Sequence, residues 1–251
     1  MPSAPKSLKR YRELTGKKGR EEQGVFLVEG EKAINQVVAS HPEDIREIIS
    51  AVDIPPLLSR YPVRTVSQSQ FQYISSTQTP QGLAAVVNFP QGVYTSTLPA
   101  DAGTHILLLE DIQDPGNAGT LIRTAAALGF SGVILTESSS DPFSPKAVQA
   151  AAGTMLSVWI RRTARYLELV KTLKQTGYAL VAADVHGSDE PTILSGQKKL
   201  ILALGNEAAG LTKELLSNAD YRVHIPTPPD KAESLNVAAC GAILMYLSIT
   251  G

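Results

Sequence analysis

The sequence predicts an α/β protein of two units, the second built on a mostly parallel sheet. Three observations carry this. Through the second half, short apolar runs alternate with helical patterns, as in a sheet with helices on both faces. Runs such as Ile106–Leu109 within HILLL and Leu200–Leu204 (LILAL) are apolar throughout. Strands of that kind belong to parallel sheets buried on both sides. Between the halves, residues 90–103 (PQGVYTSTLPADAG) are rich in turn formers and lack apolar periodicity, so they read as a linker. The expected division is residues 1–89, a linker at 90–103 and residues 104–251.

The first half opens with a basic amphipathic helix over Lys6–Leu14, where Leu8 and Tyr11 alternate with cations at helical spacing. A loop is expected around Gly16 and Gly19. Then come a strand at Val25–Glu29, a helix from Gly30 to about Ser40, and a strand at Ile45–Ser50. A short helix follows over Ile54–Arg60, then a strand at Val63–Val66, a helix at Ser67–Ser75 and a strand at Leu83–Phe89. About ninety residues of this alternation can hold a core of their own. Lys6, Lys9, Arg10, Lys17, Lys18 and Arg20 lie within the first twenty residues, with Glu13 as the one acidic residue there. Such a cluster is either a solvated face or a patch for RNA phosphates, and charge does not choose between them.

In the second half, strands are expected at His105–Leu109, Gly132–Leu135, Ser157–Ile160, Ala179–Ala183, Leu200–Leu204 and Tyr221–Ile225. Helices are expected at Gly119–Leu128, Pro145–Ala152, Leu167–Thr176, Thr212–Ser217 and Ser234–Ile249. The formal net charge of −1 means that any basic surface is local. No apolar run reaches the length of a membrane span, and the N-terminus lacks the apolar core of a secretory signal. The single cysteine, Cys240, excludes intrachain disulfides and fits a cytoplasmic protein. Four scattered histidines show no metal-ligand spacing, so no metal is expected.

Open α/β sheets bind ligands where strand ends meet helix starts. Three loops occupy such positions. Asp114–Arg123 offers the amide of Asn117 and the planar fork of Arg123; it reads equally well as a capped helix entry. Gly205–Gly210 brackets Asn206 and Glu207, and reads equally as a helix start with Glu207 on the favourable end of the dipole. Ile225–Asn236 (IPTPPDKAESLN) is stiffened by Pro226, Pro228 and Pro229, with Ser234 placed to cap the closing helix. Neither a G-x-G-x-x-G fingerprint nor a Walker lysine is present, which argues against an ordinary Rossmann enzyme. No nucleophile–base pair stands out.

Taken together, the three loops resemble the three motifs of the SpoU/TrmH RNA ribose 2′-O-methyltransferases of the SPOUT superfamily. The matching residues are Asn117, Gly119 and Arg123 in NAGTLIRTAAALGF; Gly205, Glu207, Gly210 and Leu211 in LGNEAAGL; and Pro226, Ser234, Leu235 and Asn236 in IPTPPDKAESLNVAA. The opening SLKRYRELTGKKGREEQGVFLVEG and the later TPQGLAAV resemble the L30e-like substrate-binding domain that many rRNA members carry. Gln149 and Ala151 stand where the family commonly has a basic residue and a serine, and Ala238 where its third motif usually has serine.

The resemblance implies a second domain with a deep trefoil knot that holds S-adenosylmethionine, chiefly through Leu204, Gly205, Asn206, Gly210, Ile225, Pro226 and Leu235. It implies methyl transfer to a ribose 2′-hydroxyl, with Arg123, Asn117, Glu207, Ser234 and Asn236 as the catalytic set. Ribosomal RNA of the large subunit is the implied substrate, contacted by the N-terminal cations and Arg123. A homodimer through the closing helix is implied as well, with the small residues of Val237–Ala242 suited to the interface. The alternatives are a tRNA 2′-O-methyltransferase and a non-catalytic RNA-binding assembly factor that kept the fold.

Overall fold

A computed structural model describes residues 7–227 and 235–250. Lys6 and Ser234, both expected in functional roles, lie outside the described residues. The chain forms two compact units. One runs to Gln91 and takes in Asp141–Leu156; the other comprises Gly92–Ser140 and the chain from Ser157 onward.

The first unit contains α1 (Leu8–Glu13), α2 (Lys17–Gln23), β1 (Val25–Glu29), α3 (Glu31–Ser40), β2 (Ile45–Ser50), β3 (Val63–Thr65), α4 (Gln68–Ile74) and β4 (Leu83–Asn88). Its mixed sheet has the order β1-β4-β2-β3, with β4 antiparallel to both neighbours and β2 parallel to β3. The Ser7 hydroxyl caps α1 by accepting from the Lys9 N–H at 3.3 Å. That helix buries Tyr11 and, just beyond it, Leu14 against Phe71 and Ile74 of α4. The Tyr11 hydroxyl donates to Glu47 at 2.7 Å. Burial and this carboxylate push its pKa up to about 12. Helix α4 starts with a reciprocal capping box between Ser67 and Gln70.

Two local expectations change here. Residues 17–23 form a helix, not a loop, because Arg20 is drawn inward and anchors it. Around 54–60 only Pro56–Leu58 winds, as a single 3-10 turn, since Pro55 and Pro56 supply no N–H donors.

The second unit carries β5 (His105–Leu109), α5 (Pro115–Ala127) and β6 (Gly132–Thr136). The chain then makes an excursion through α6 (Pro145–Ala151), which lies with the first unit. There Phe143 packs edge-on against Phe26, with centroids 5.0 Å apart, and Asp141 pairs with Arg20. The second unit resumes with β7 (Trp159–Thr163), α7 (Tyr166–Gln175), β8 (Ala179–Ala183), β9 (Leu200–Leu204), α8 (Lys213–Asn218), β10 (Tyr221–Val223) and α9 (Val237–Ile249). Six strands form one parallel sheet, ordered β10-β8-β9-β5-β6-β7. Every residue of β6 and β9 is buried, as strands covered on both faces require.

Alternation along the strands assigns the two faces. Ile106, Leu108, Ile201 and Ala203 pack with Leu169, Val170 and Leu173 of α7 and Leu215 of α8. Leu204 faces the other way, toward α9. A Cβ on Gly241 of α9 would lie 2.4 Å from Leu121 Cδ2 and 2.7 Å from Leu204 Cδ1. Only a glycine lets α9 seat this closely on α5 and β9.

Residues 92–103 are not a free tether. The Arg162 N–H donates to the Val93 carbonyl at 2.7 Å, Arg161 Nε to the Thr97 carbonyl at 2.6 Å, and the Trp159 indole to the Ala102 carbonyl at 3.1 Å. The segment thus covers edge strand β7, whose unpaired backbone would otherwise invite foreign pairing.

Candidate active site

The site grows from the C-terminal ends of β5 and β9. After β5, the buried Glu110 carboxylate accepts from the Thr212 N–H and hydroxyl, at 2.7 and 2.8 Å, and from the Tyr166 hydroxyl. A buried carboxylate is tolerable only with such a set of donors. Next comes Asp111, a non-glycine residue in the left-handed region at φ 57°. Its carboxylate accepts from the Thr136 hydroxyl at 2.7 Å, and its own N–H donates back to that oxygen at 2.9 Å. Asp114 then caps α5, accepting from Gly116 and Asn117 N–H groups at 2.6 and 3.0 Å, with Pro115 at the first helical position. The helix therefore starts four residues earlier than the sequence suggested. Asn117 lies in its first turn.

The loop after β9 is held by Asn206. Its Nδ2 donates to the Asp111 carbonyl at 2.9 Å, and its Oδ1 accepts from the Ala208 and Ala209 N–H groups at 2.9 Å each. Asn206 and Gly210 also exchange backbone hydrogen bonds of 3.1 and 2.9 Å. Gly205 lies so close to Gly210 that a Cβ would approach its carbonyl carbon to 2.3 Å. The closed loop carries Glu207 toward α5, where Asn117 Nδ2 donates to Glu207 Oε1 at 3.0 Å.

The third loop reaches the same point. Asn236 caps α9: its Oδ1 accepts from Ala238 and Ala239 N–H groups at 2.9 and 3.4 Å. Its Nδ2 donates to Asn117 Oδ1 at 3.3 Å. Asn117, Glu207 and Asn236 are thus joined, one from each loop, with Asn117 as the centre. Arg123 stands apart. It is exposed, about 9 Å further along α5 by the helical rise, and has no hydrogen-bond or ion-pair partner among the described residues. Its charge is available to a ligand.

A cleft of about 360 Å³ adjoins the third loop, lined in part by Ile225, Pro226 and Leu235 from the expected cofactor set. This volume suits a small organic ligand. Asp184, Val185 and His224, which sequence reading passed over, also line it. Val185 is 71% exposed, and His224 Nδ1 is buried without a partner among the described residues. An uncovered apolar wall and an unused ring nitrogen both fit a ligand with an apolar body and polar edges. Burial pushes the Asp184 carboxyl upward, but the His186 N–H and the Arg222 guanidinium more than offset it and hold its pKa below the usual value. Leu204 is buried, with its carbonyl taken by the Glu110 N–H at 2.9 Å. Asn206 has its side chain committed to the loop. Asp184 and His224 carried no sequence signal beyond their place at strand ends.

Of the N-terminal cations, Lys9, Arg10, Lys17 and Lys18 are exposed. Arg20 is not: it is 1% exposed, donates to the Leu14 and Thr15 carbonyls at 3.0 and 3.1 Å and pairs with Asp141. Its charge holds the first unit together and is not presented to RNA, because its whole fork is enclosed. Among the described residues no three His, Cys, Asp or Glu come together to hold a metal, and no helix is long and apolar enough to cross a membrane.

Comparison with known proteins agrees with both halves of the chain. Residues 104–246 match the SpoU rRNA Methylase family, and residues 6–85 match the MRM3-like substrate binding domain. The chain is 31% identical over 242 residues to the 23S rRNA (guanosine(2553)-2′-O)-methyltransferase RlmP of Bacillus subtilis, covering 95% of this chain and 94% of that one. The structure of an AdoMet-bound rRNA methyltransferase from Sinorhizobium meliloti superposes with a TM-score of 0.79 at 28% identity, covering 99% of this chain and 95% of that one. The AviRb SpoU methyltransferase of Streptomyces viridochromogenes shares the fold, with a TM-score of 0.82 at 24% identity over 98% of this chain and 97% of that one.

Proposed function

Because the chain belongs to the SpoU rRNA Methylase family, we propose that it transfers a methyl group from S-adenosylmethionine to a ribose 2′-hydroxyl of 23S ribosomal RNA. The observation that carries this is the hydrogen-bonded junction of Asn117, Glu207 and Asn236 beside a ligand-sized cleft. The similarity to the Bacillus enzyme extends through the substrate-binding unit. That favours ribosomal RNA over tRNA and an active enzyme over a silent binding protein.

S-adenosylmethionine supplies a methyl on sulfonium, already activated for transfer. The chain's part is to bind, orient and stabilise charge. Ile225, Pro226 and Leu235 would wall the cofactor, with Gly205, Gly210 and the Leu204 backbone shaping the loop beside it. Asn206 serves by closing that loop. Asn117, fixed by Glu207 and Asn236, orients the ribose; Ser234 would complete this set. A guanidinium is a planar fork of donors with no acceptor, so Arg123 is not the base in this reading. It serves by holding an RNA phosphate and the oxygen charge that grows as the hydroxyl attacks. Positioning of this kind supplies much of the acceleration.

Residues 1–89 would hold RNA, with Lys9, Arg10, Lys17 and Lys18 on its phosphates. Residues 90–103 connect them to the methyltransferase domain at 104–251. In this reading the C-terminal segment threads a loop to make a trefoil knot. Support comes from α9, which follows edge strand β10 yet seats against central β9 and α5. A homodimer through α9 is supported by its exposed Ile243, Tyr246 and Ile249. Gly241, expected in that interface, is instead used inside the chain. A ribosomal RNA substrate supports a cytoplasmic location.

The test is incubation of purified protein with tritiated S-adenosylmethionine and unmodified 23S rRNA transcript or precursor particles, followed by mapping of 2′-O-methyl groups. Label at one ribose is expected. No incorporation into any ribosomal RNA would overturn the proposal.

A further inference from the structure

Resting on that function, we infer that Glu110 is a positioning residue, whose buried carboxylate fixes the loop between β9 and α8 that carries Glu207 and shapes the cofactor site. Residues 205–211 leave β9 at Leu204 and enter α8 at Thr212, whose hydroxyl caps that helix by accepting from the Leu215 N–H at 3.2 Å. Glu110 holds both ends. Its N–H donates to the Leu204 carbonyl at 2.9 Å. Its Oε2 accepts from the Thr212 N–H at 2.7 Å, and its Oε1 from the Thr212 hydroxyl at 2.8 Å. The next residue holds the body of the loop, since the Asp111 carbonyl accepts from Asn206 Nδ2 at 2.9 Å. Two consecutive residues thus clamp the entry, the body and the exit of one loop.

The clamp transmits because the loop has no slack. Gly205 and Gly210 are in close backbone contact, Asn206 and Gly210 exchange hydrogen bonds, and Leu211 is buried in the same cluster as Leu215 of α8. A shift of Thr212 therefore carries Glu207 with it and disturbs the bond to Asn117. Glu110 acts through this loop and not on the reacting atoms. Its partners Tyr166 and Thr212 stand at the starts of α7 and α8, the helices packed on one face of the sheet. The Asn117 junction stands with α5 and α9 on the other.

The residue type suits the task. The Thr212 N–H, the Thr212 hydroxyl and the Tyr166 hydroxyl converge on one point, and a carboxylate can accept at both of its oxygens. Burial and the neighbouring Glu110 push the Tyr166 pKa up, which keeps that hydroxyl protonated as a donor. An enclosed carboxylate is a costly way to gain stability. What it supplies here is a single resting place for the loop.

The experiment compares full-length wild type with Glu110→Met, which keeps the length of the side chain and removes its oxygens. Hydrogen exchange at 205–212 should rise about tenfold or more, the factor that one lost charge-assisted hydrogen bond supplies, with the core strands unchanged. Affinity for S-adenosylmethionine, read by calorimetry, should fall by a similar factor, and kcat by about a hundredfold, the scale of a misplaced catalytic group. Glu110→Gln, which still offers an oxygen to the Thr212 N–H, should recover part of each loss. Should Glu110→Met fail to fold, Thr212→Val removes one of the three donors and carries the same readouts. Loop exchange or cofactor affinity within about twofold of wild type, or faster exchange spread evenly over the second unit, would overturn the positioning role and leave the methyltransferase function intact. Absence of S-adenosylmethionine binding by wild type would overturn that function, and loop exchange would still decide the anchoring.

Discussion

Asn117 Nδ2 donates to Glu207 Oε1 at 3.0 Å, across 90 residues of sequence. The bond joins the first turn of α5 to the loop after β9. It tests well by charge. Asn117→Asp sets two carboxylates against each other, and like charges at this distance resist joint ionisation. Methyl transfer by this variant should fall by at least about a hundredfold, the scale of losing a positioned polar group at a reacting centre. Affinity for S-adenosylmethionine, read by calorimetry, should change less than threefold. Retained turnover would show that Asn117 does not set the geometry.

Arg123 has no partner among the described residues, so removing it breaks nothing in the resting protein. Arg123→Ala should abolish methyl transfer and leave cofactor affinity and melting temperature nearly unchanged. Arg123→Lys should recover little, because a lysine cannot reproduce the planar fork on a phosphate. Parallel loss of cofactor binding would assign Arg123 to the cofactor instead.

At Gly241 the packing leaves no room. A Cβ there would lie 2.4 Å from Leu121 Cδ2, and both Leu121 and Leu204 are buried. Gly241→Val should therefore destabilise the second unit by about 1–3 kcal/mol, as overpacked cores do. Thermal unfolding followed by circular dichroism reads this directly. A neutral result would mean that α9 is free to move away from α5.

The parallel sheet was legible because LILAL, and HILLL after its opening histidine, are apolar at consecutive positions, the pattern of a strand covered on both faces. The Asn117–Glu207–Asn236 junction was legible as three motifs but not as hydrogen bonds, since no local pattern reports which distant amide meets which carboxylate. Asp184 and His224 escaped notice because their role depends on a cleft that exists only after folding. Arg20 misled for a related reason. Its neighbours Lys17 and Lys18 are exposed, and sequence spacing cannot say that one cation of a cluster turns inward to meet Asp141, 121 residues away.

Arg20 gives the contrast that separates structure from recognition. Arg20→Ala removes the enclosed guanidinium that joins the Leu14 and Thr15 carbonyls to Asp141, and breaking a buried pair costs about 3–5 kcal/mol. The variant should melt well below wild type. Lys18→Ala should not, since its i,i+4 pair with Glu22 at 3.7 Å is exposed and such pairs contribute under about 1 kcal/mol. RNA affinity should show the reverse order at a temperature where both variants are folded. Equal melting temperatures would contradict the enclosed role of Arg20.

His105 opens β5 and packs edge-on against Phe130, with centroids 5.4 Å apart. Burial lowers its pKa below 6.5, opposed in part by the backbone of Ser248. The native state thus binds its proton less readily than the unfolded chain, so stability rises with pH wherever the unfolded histidine is protonated. Its contribution is complete above about pH 6.5, the unfolded value, and is lost progressively as pH falls toward the lowered native one. Urea midpoints at pH 7.5 and 5.5 should differ more for wild type than for His105→Gln, which has no proton to gain. An equal drop in both would place the acid sensitivity in other groups.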